Sequence, residues 1–169
     1  MSKKNFEIIS RFLRYLRQTT IHSMNLPHYN YLTSDFQSYE FYSEGPKGQI
    51  KKVVTFSRIR NDPATYNLTL VDVNPISGLT SDLTVSDNGD RDIVLATVAY
   101  TVKDFSDHYG NHYIYAKGST PVRTRLYQIG IAGLLEEISI DFDVYGVIND
   151  IAYPFQKNVN YEAFLVKRK

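Results

Sequence analysis

The chain contains no cysteine and no tryptophan. The lack of cysteine excludes disulfide bridges, thiolate metal sites and cysteine nucleophiles. No apolar run approaches the roughly 20 residues that a membrane-spanning helix needs. Near the N-terminus, Arg11, Arg14 and Arg17 interrupt the apolar residues, whereas a secretory signal has an unbroken apolar segment. We therefore expect a cytoplasmic protein that does not associate with a membrane.

The chain also lacks a large net charge of either sign. The 169 residues include 19 basic and 18 acidic side chains, which gives a net charge of +1. Such a molecule has no general attraction for polyanions, so an anion has to be bound by a local cluster of cations. The 43% of hydrophobic and 22% of charged residues are typical of one folded domain of this length.

Strand patterns dominate the chain after residue 37. The segments SYEFYSEG and QIKKVVTFSRI predict two strands joined by Gly45-Pro46-Lys47-Gly48, whose residue types suit a hairpin turn. An Asn61-Asp62-Pro63 turn precedes a third strand, TYNLTLVDV. Further strands are predicted for HYIYA, SIDFDVYGVI and NYEAFLVKRK.

Two helices are predicted between these strands. The first covers 89–109, with its apolar residues on one face and with Asp87 or Asn88 as the cap. The second covers 120–138, with Thr120 as the cap and proline at the first helical position. Gly130 and Gly133 are unfavourable inside this helix, which predicts a close approach to a neighbouring element.

This order of elements predicts an α+β fold. Three strands, a helix, a strand, a helix and two strands (β-β-β-α-β-α-β-β) favour a mostly antiparallel sheet with both helices packed on one face. Residues 5–18 have the pattern of a basic amphipathic helix. We expect residues 1–23 to be an appendage that is dispensable to the fold, and residues 24–169 to form a single α+β domain.

Four segments resemble a known protein family. The segments SEGPKG, NGDRDIVLATVA, YAKGSTPVRTRLY and NYEAFLVKR are similar to those of a family of small proteins, mainly from Bacteroidota, known as a domain of unknown function. The resemblance covers residues 24–169. It implies no catalytic residue, because none is assigned in the family.

The segment AKGSTPVRTRLYQIG (116–130) carries the candidate site. A helix N-terminus has a partial positive charge, so the cations around this one require a negative group nearby. A strand-to-helix turn with free N–H groups and hydroxyls is a common arrangement for holding phosphate. We predict that a phosphate of a nucleotide or of a nucleic-acid backbone binds at this turn. The predicted ligand-binding residues are Lys117, Gly118, Ser119, Thr120 and Arg123, with Arg125 and Tyr127 in support.

Positions 123 and 125 lie about 200° apart around a helix, so both side chains cannot reach one ligand from the same side. Arg123 is the better candidate. The alternative negative group is a carboxylate of the same chain, and Glu40, Glu44 and Glu162 lie in or beside predicted strands. A carboxylate accounts for one or two of the three cations more easily than for all of them.

The sequence gives little indication of metal binding, of a cofactor or of catalysis. Helix capping explains the DNGD run at 87–90, and the histidines lack the spacing of zinc ligands, so we expect no metal and no cofactor. No catalytic set is recognisable, so enzymatic activity is neither predicted nor excluded.

Binding partners are indicated by two further features. Basic residues between 47 and 60 lie among aromatic side chains, as in surfaces that stack nucleic-acid bases. We favour instead the protection of an edge strand by lysine. The 14 tyrosines and the lack of a catalytic set favour an alternative function. This alternative is a non-catalytic protein–protein interaction module, such as half of a bacterial two-component defence or toxin–antitoxin system, or a homodimer.

Overall fold

A computed structural model describes residues 23–81 and 87–169. The helix predicted for residues 5–18 lies outside these ranges, and the division of the chain at residue 24 stays a prediction. The described residues form nine strands and two helices. In chain order these are β1 (Tyr31–Thr33), β2 (Ser38–Gly45), β3 (Gly48–Asn61), β4 (Ala64–Val73), β5 (Thr80–Ser81), α1 (Arg91–Tyr109), β6 (Tyr113–Ala116), α2 (Pro121–Asp141), β7 (Phe142–Ile148), β8 (Ile151–Pro154) and β9 (Ala163–Arg168).

The strands form one sheet in the order β1-β2-β3-β4-β6-β9-β7-β8, and β5 pairs with the end of β4. Neighbouring strands are antiparallel except β4 and β6, which run parallel. The α+β fold with a mostly antiparallel sheet is therefore confirmed. The strands that the sequence did not predict, β1, β5 and β8, are only 3, 2 and 4 residues long.

Both helices pack on the same face of the sheet. Alternate residues of the central strands point towards them, because successive side chains of a strand face opposite sides. Phe56 of β3 stacks on Phe105 of α1, with 4.4 Å between ring centroids. The apolar space between the layers is lined from the sheet by Leu68, Leu70, Ile114, Phe164 and Val166, and from the helices by residues that include Val102, Tyr127 and Ile138.

The second helix is longer than predicted. Residues 139–141 are helical, and β7 follows directly at Phe142, so the strand predicted for SIDFDVYGVI begins three residues too early. Contacts with the start of the described chain stabilise this last turn. The carboxylate of Asp141 accepts hydrogen bonds from the Met24 N–H at 2.8 Å and the Ser23 hydroxyl at 3.2 Å.

The cap of α1 differs from the prediction. The capping residue is Asp90, so the assignment of Asp87 or Asn88 as the cap is wrong. The buried Asn88 side chain instead holds the β2–β3 turn, accepting from the Lys47 N–H at 2.9 Å and donating to the Gly48 carbonyl at 2.9 Å. The Asn88 side chain is thus used in a tertiary contact, and the Asp90 side chain makes no capping hydrogen bond to the helix.

The basic segment of β3 does not lie at an edge of the sheet. Since β3 pairs with β2 on one side and β4 on the other, the interpretation as a protected edge strand is wrong. Lys52 is buried, and Lys51 is paired with Glu40 at 2.8 Å. Burial of one lysine and pairing of the other leave fewer cations of β3 available to bind a nucleic acid.

The two helical glycines have different surroundings. A Cβ atom at Gly130 would overlap the Leu95 side chain of α1, which confirms a close approach of the helices there. At Gly133, no atom of residues 23–81 or 87–169 outside the glycine's own helical surroundings lies within 4 Å of such a Cβ. The predicted close approach is therefore wrong for Gly133.

These surroundings predict different effects of an alanine substitution at the two glycines. Gly133→Ala should raise the free energy of unfolding by about 1 kcal/mol, because alanine has the higher helix propensity and finds open space. Gly130→Ala should lose this gain, because Leu95 has to move. Urea denaturation of both variants and the wild type measures the difference. Destabilisation by Gly133→Ala would contradict the open space around this glycine.

Candidate functional site

The turn between β6 and α2 is closed by hydrogen bonds among its own residues. Thr120 caps α2 as predicted, and its hydroxyl accepts from the Arg123 N–H at 3.2 Å. The Thr124 hydroxyl accepts from the Gly118 N–H at 3.1 Å and lies 3.2 Å from the Thr120 carbonyl, to which it donates. The N–H groups of Gly118 and Arg123 are therefore used inside the turn and do not face a ligand.

Gly118 is required for the shape of this turn. A Cβ atom there would overlap the backbone nitrogen of Thr124, so a larger residue would push the strand away from the helix. Gly118 therefore allows two backbone segments to pack closely. The sequence had instead predicted that it exposes N–H groups to a ligand.

The Arg123 side chain points inward to β4. The residue is only 6% exposed, and its guanidinium Nη2 lies 3.3 Å from the Leu70 carbonyl and 3.4 Å from the Tyr127 hydroxyl. On this edge of β4, β6 pairs with 65–68 and β5 with 72–73. Leu70 lies between those two stretches, so the guanidinium binds the edge of β4 in the gap between two partner strands.

The other two cations lie on the surface. Arg125 donates to the Asn160 side chain at 3.2 Å, on a different side of α2 from Arg123, as the helical spacing predicts. Lys117 is exposed at the end of β6. The three glutamates considered as partners of these cations contact other groups. Glu40 pairs with Lys51, Glu44 accepts from the Gln49 side chain, and Glu162 accepts from the Asn149 N–H.

A small polar pocket brings part of the predicted set together. It has a volume of about 190 Å³ and is lined by Asn67, Leu68, Thr69, Leu70, Lys117, Ser119, Arg123 and Tyr127. Among the described residues that line it there are two cations and no carboxylate. Gly118, Thr120 and Arg125 do not line it. We call it the anion pocket. It lies where β6 ends beside the parallel strand β4.

A second space lies on the other side of the turn. It measures about 400 Å³, and its lining includes Lys117, Ser119, Thr120 and Glu162. A carboxylate opposes the single cation there. This side of the turn therefore suits an anion less well than the anion pocket does.

A polar cleft of about 310 Å³ lies between strands β3 and β4 and the two helices. Its lining carries both signs of charge and includes Lys52, Asp72, Asp90, Arg91 and Arg123. The Lys52 ammonium lies 2.6 Å from the Asp72 carboxylate, and both residues are buried. They face each other in register on β3 and β4. Successive side chains of β3 face opposite sides of the sheet, so Lys52 lies on the same side as the apolar Val54. This alternation is the feature of the sequence that indicates a buried lysine.

A hydrogen-bond network under this cleft fixes the start of α1. The Asp90 carboxylate accepts from the Ser43 hydroxyl at 2.6 Å and lies 2.8 Å from the Tyr29 hydroxyl. Burial raises the pKa of Tyr29, and the hydrogen bond to Asp90 raises it further, so the hydroxyl is protonated at neutral pH. Asn88 donates to the same Ser43 oxygen at 3.1 Å. Sequence reasoning did not assign this network, because its members lie on three distant segments.

Neither a metal-binding cluster nor a membrane-spanning helix is found among the described residues. No group of three or more histidine, aspartate and glutamate side chains in residues 23–81 and 87–169 is arranged to hold a metal ion. None of the helices in these ranges has the length and apolar character required to cross a membrane.

Comparison with known proteins adds one assignment. The model of a family of unknown function, DUF6934, matches residues 25–169. The chain belongs to this family. The match confirms the resemblance proposed for residues 24–169, while the link to Bacteroidota stays a prediction. No curated protein and no solved structure matches the chain. Membership in DUF6934 supplies no site residue.

The Asp90 network predicts a large difference between two neighbouring carboxylates. Asp90→Ala removes a buried acceptor from Ser43 and Tyr29, and hydrogen bonds to a charged group contribute about 1.5–3 kcal/mol each, so a loss of roughly 3 kcal/mol or more is expected. Asp92→Ala, in the exposed first turn of the same helix, should cost well under 1 kcal/mol. Chemical denaturation measures both. Equal losses would contradict the role of Asp90.

Proposed function

We propose that the protein binds a phosphate group, carried by a nucleotide or by a nucleic-acid backbone, in the anion pocket. The observation that supports this is the composition of the described lining: Lys117 and Arg123 with no carboxylate among them. In a molecule whose net charge is only +1, two cations lining one small pocket favour the local binding of an anion.

The two cations have different roles in this proposal. Arg123 is held in place by Leu70 and Tyr127, and its burial strengthens any electrostatic contact that its guanidinium makes. Guanidinium groups suit phosphate because they present several donors in one plane. The exposed Lys117 adds charge at the rim. Ser119 and Thr69 contribute hydroxyl donors, and the start of α2 adds its partial positive charge.

The size of the pocket limits what it holds. A volume of about 190 Å³ is below the range of roughly 300–1,000 Å³ that is common for whole small-molecule ligands. A phosphate group fits inside, and the remainder of a nucleotide extends beyond the pocket. Its described lining contains no histidine or carboxylate that would act as a general base, which favours binding over hydrolysis.

Phosphate should therefore raise the melting temperature of the wild type at constant ionic strength, because a ligand that binds only the folded state stabilises it. Lys117→Ala should reduce this shift with little effect on the melting temperature without phosphate, since Lys117 is exposed. Arg125→Ala, a second exposed cation outside the pocket, is the matched control and should keep the full shift. Differential scanning fluorimetry measures all three proteins.

Arg123→Ala is a poor test by comparison. It removes the hydrogen bond to Leu70 from the protein interior and lowers the basal stability whether or not phosphate binds. The proposal is contradicted by a wild type that does not respond to phosphate, or by equal reductions in Lys117→Ala and Arg125→Ala.

A second candidate function is association through the β8 edge of the sheet. β8 is the last strand on that side, all four of its residues are exposed, and Ile151 and Tyr153 retain 55% and 45% of their accessible surface. An exposed edge offers unpaired N–H and carbonyl groups to a second strand. The partner is then a second copy of the chain or another protein that adds a strand.

If the second copy is the partner, sedimentation should find a dimer that Ile151→Lys dissociates, because a charge at the edge opposes pairing. Leu32→Lys changes an exposed residue of β1 at the opposite edge and should leave the dimer intact. A wild type that is monomeric at high concentration would rule out self-association through β8.

A further inference from the structure

The outer face of α2 carries a row of apolar residues. Positions 122, 126, 129, 133, 136 and 140 are spaced alternately four and three residues apart, which places them on one face of a helix. Apart from Glu136, the row consists of Val122, Leu126, Ile129, Gly133 and Ile140. The opposite face of the helix turns to the sheet, where Tyr127, Ile131 and Ile138 line the apolar space between the layers. We call the outer row the α2 stripe.

Much of the α2 stripe is uncovered by the described residues. Val122 retains 65% and Ile129 40% of their accessible surface. At Gly133, no described atom outside the glycine's own helical surroundings lies within 4 Å of an added Cβ, which leaves a notch one turn from Ile129. A row of exposed aliphatic side chains beside a notch favours contact with a second apolar element.

The described chain begins at the C-terminal end of this same helix. Ser23 and Met24 donate to the Asp141 carboxylate, and the Asn25 N–H donates to the Glu137 carboxylate at 3.2 Å. The residues before Ser23 therefore depart from the last turn of α2. The five Cα–Cα steps from residue 18 to Ser23 span at most about 18 Å. The segment 5–18, which lies outside the described residues, is thus tethered beside one end of the α2 stripe.

The sequence of this segment suits the α2 stripe in character and in length. Its apolar residues at helical spacing are Phe6, Ile9, Phe12, Leu13 and Leu16. A helix over 5–18 is about 21 Å long, and positions 122 and 140 of α2 are about 27 Å apart. A helix of this length is marginal in water by itself, so its stability depends on packing of the apolar face.

We propose that residues 5–18 form a helix whose apolar face packs on the α2 stripe. Since residue 18 has to stay near the end of α2, the two helices run parallel, with Leu16 beside Ile140. Arg17 lies one turn after Leu13 and so borders the apolar face, where it approaches the exposed Glu136. This contact is separate from the anion pocket. It is compatible with residues 1–23 being dispensable to the fold, because the α2 stripe lies outside the core.

A second copy of the chain is the less favoured occupant. The α2 stripe is about 27 Å long and about one helix diameter, roughly 10 Å, wide. Each partner in a stable complex of separate proteins contributes about 800 Å², which is several times this area. A tethered segment needs less area, because the tether holds it at a high effective concentration near the helix.

Hydrogen–deuterium exchange of the full chain, measured by mass spectrometry, tests the proposal. The amides of residues 5–18 should exchange more slowly than those of a synthetic peptide of residues 1–22, because the free peptide has no α2 stripe to pack on. The protection should be unchanged when the protein is diluted, since the segment and the stripe belong to one molecule.

Two substitutions place a charge in the middle of the α2 stripe. Gly133→Lys should leave α2 intact, because lysine has the higher helix propensity and its Cβ finds open space. Ile129→Lys changes an exposed side chain. Each should abolish the protection of residues 5–18. Ile76→Lys, the same change at an isoleucine that is 97% exposed between β4 and β5, is the matched control and should keep it. Circular dichroism identifies a variant that does not fold, and the other then decides.

Exchange of residues 5–18 in the wild type as fast as in the free peptide would overturn the proposal. Protection that survives both lysine substitutions in the α2 stripe would also overturn it, because the segment would then pack elsewhere. Protection that is lost on dilution would assign the stripe to a second copy of the chain and would equally overturn it.

Discussion

The hydrogen bond between the Arg123 guanidinium and the Leu70 carbonyl joins the only parallel strand pair of the described sheet to the helix that follows it. β6 ends at Ala116 while β4 continues to Val73, so part of the β4 edge needs another partner. Arg123 supplies one from the first turn of α2. A backbone carbonyl is thus one partner of the cation beside this helix N-terminus, and the contact ties the start of α2 to the edge of β4.

The spaces around the site follow from that contact. The tight turn at Gly118, closed by the hydroxyls of Thr120 and Thr124, brings α2 close to the end of β6. Leu70 and Tyr127 line an apolar cavity and two polar spaces, and the inward-facing arginine lines the two polar ones. A pocket with cations and no described carboxylate is formed here because β6 ends early and leaves room beside β4.

Local patterns predicted the main elements, and contacts between distant segments account for most of what they missed. The hairpin at Gly48, with a φ of 81°, and the Thr120 cap follow from residue type alone. Asn88 looked like a helix cap, but its side chain is used by a turn 40 residues earlier. The end of α2 depends on Asp141 and the Met24 N–H, which a local pattern does not contain. For the site, the sequence located the turn and separated Arg123 from Arg125, whereas Lys52 with Asp72 required strand register.

Phosphate titration followed by ¹H–¹⁵N NMR tests the anion pocket most directly, because each nitrogen reports its own surroundings. The account predicts that the Arg123 Nε–H signal and the Ser119 backbone signal shift together with a single dissociation constant, while the Asn160 side-chain amide beside Arg125 stays unchanged. Shifts that are largest at Asn160, or no shift at Arg123 at saturating phosphate, would contradict it.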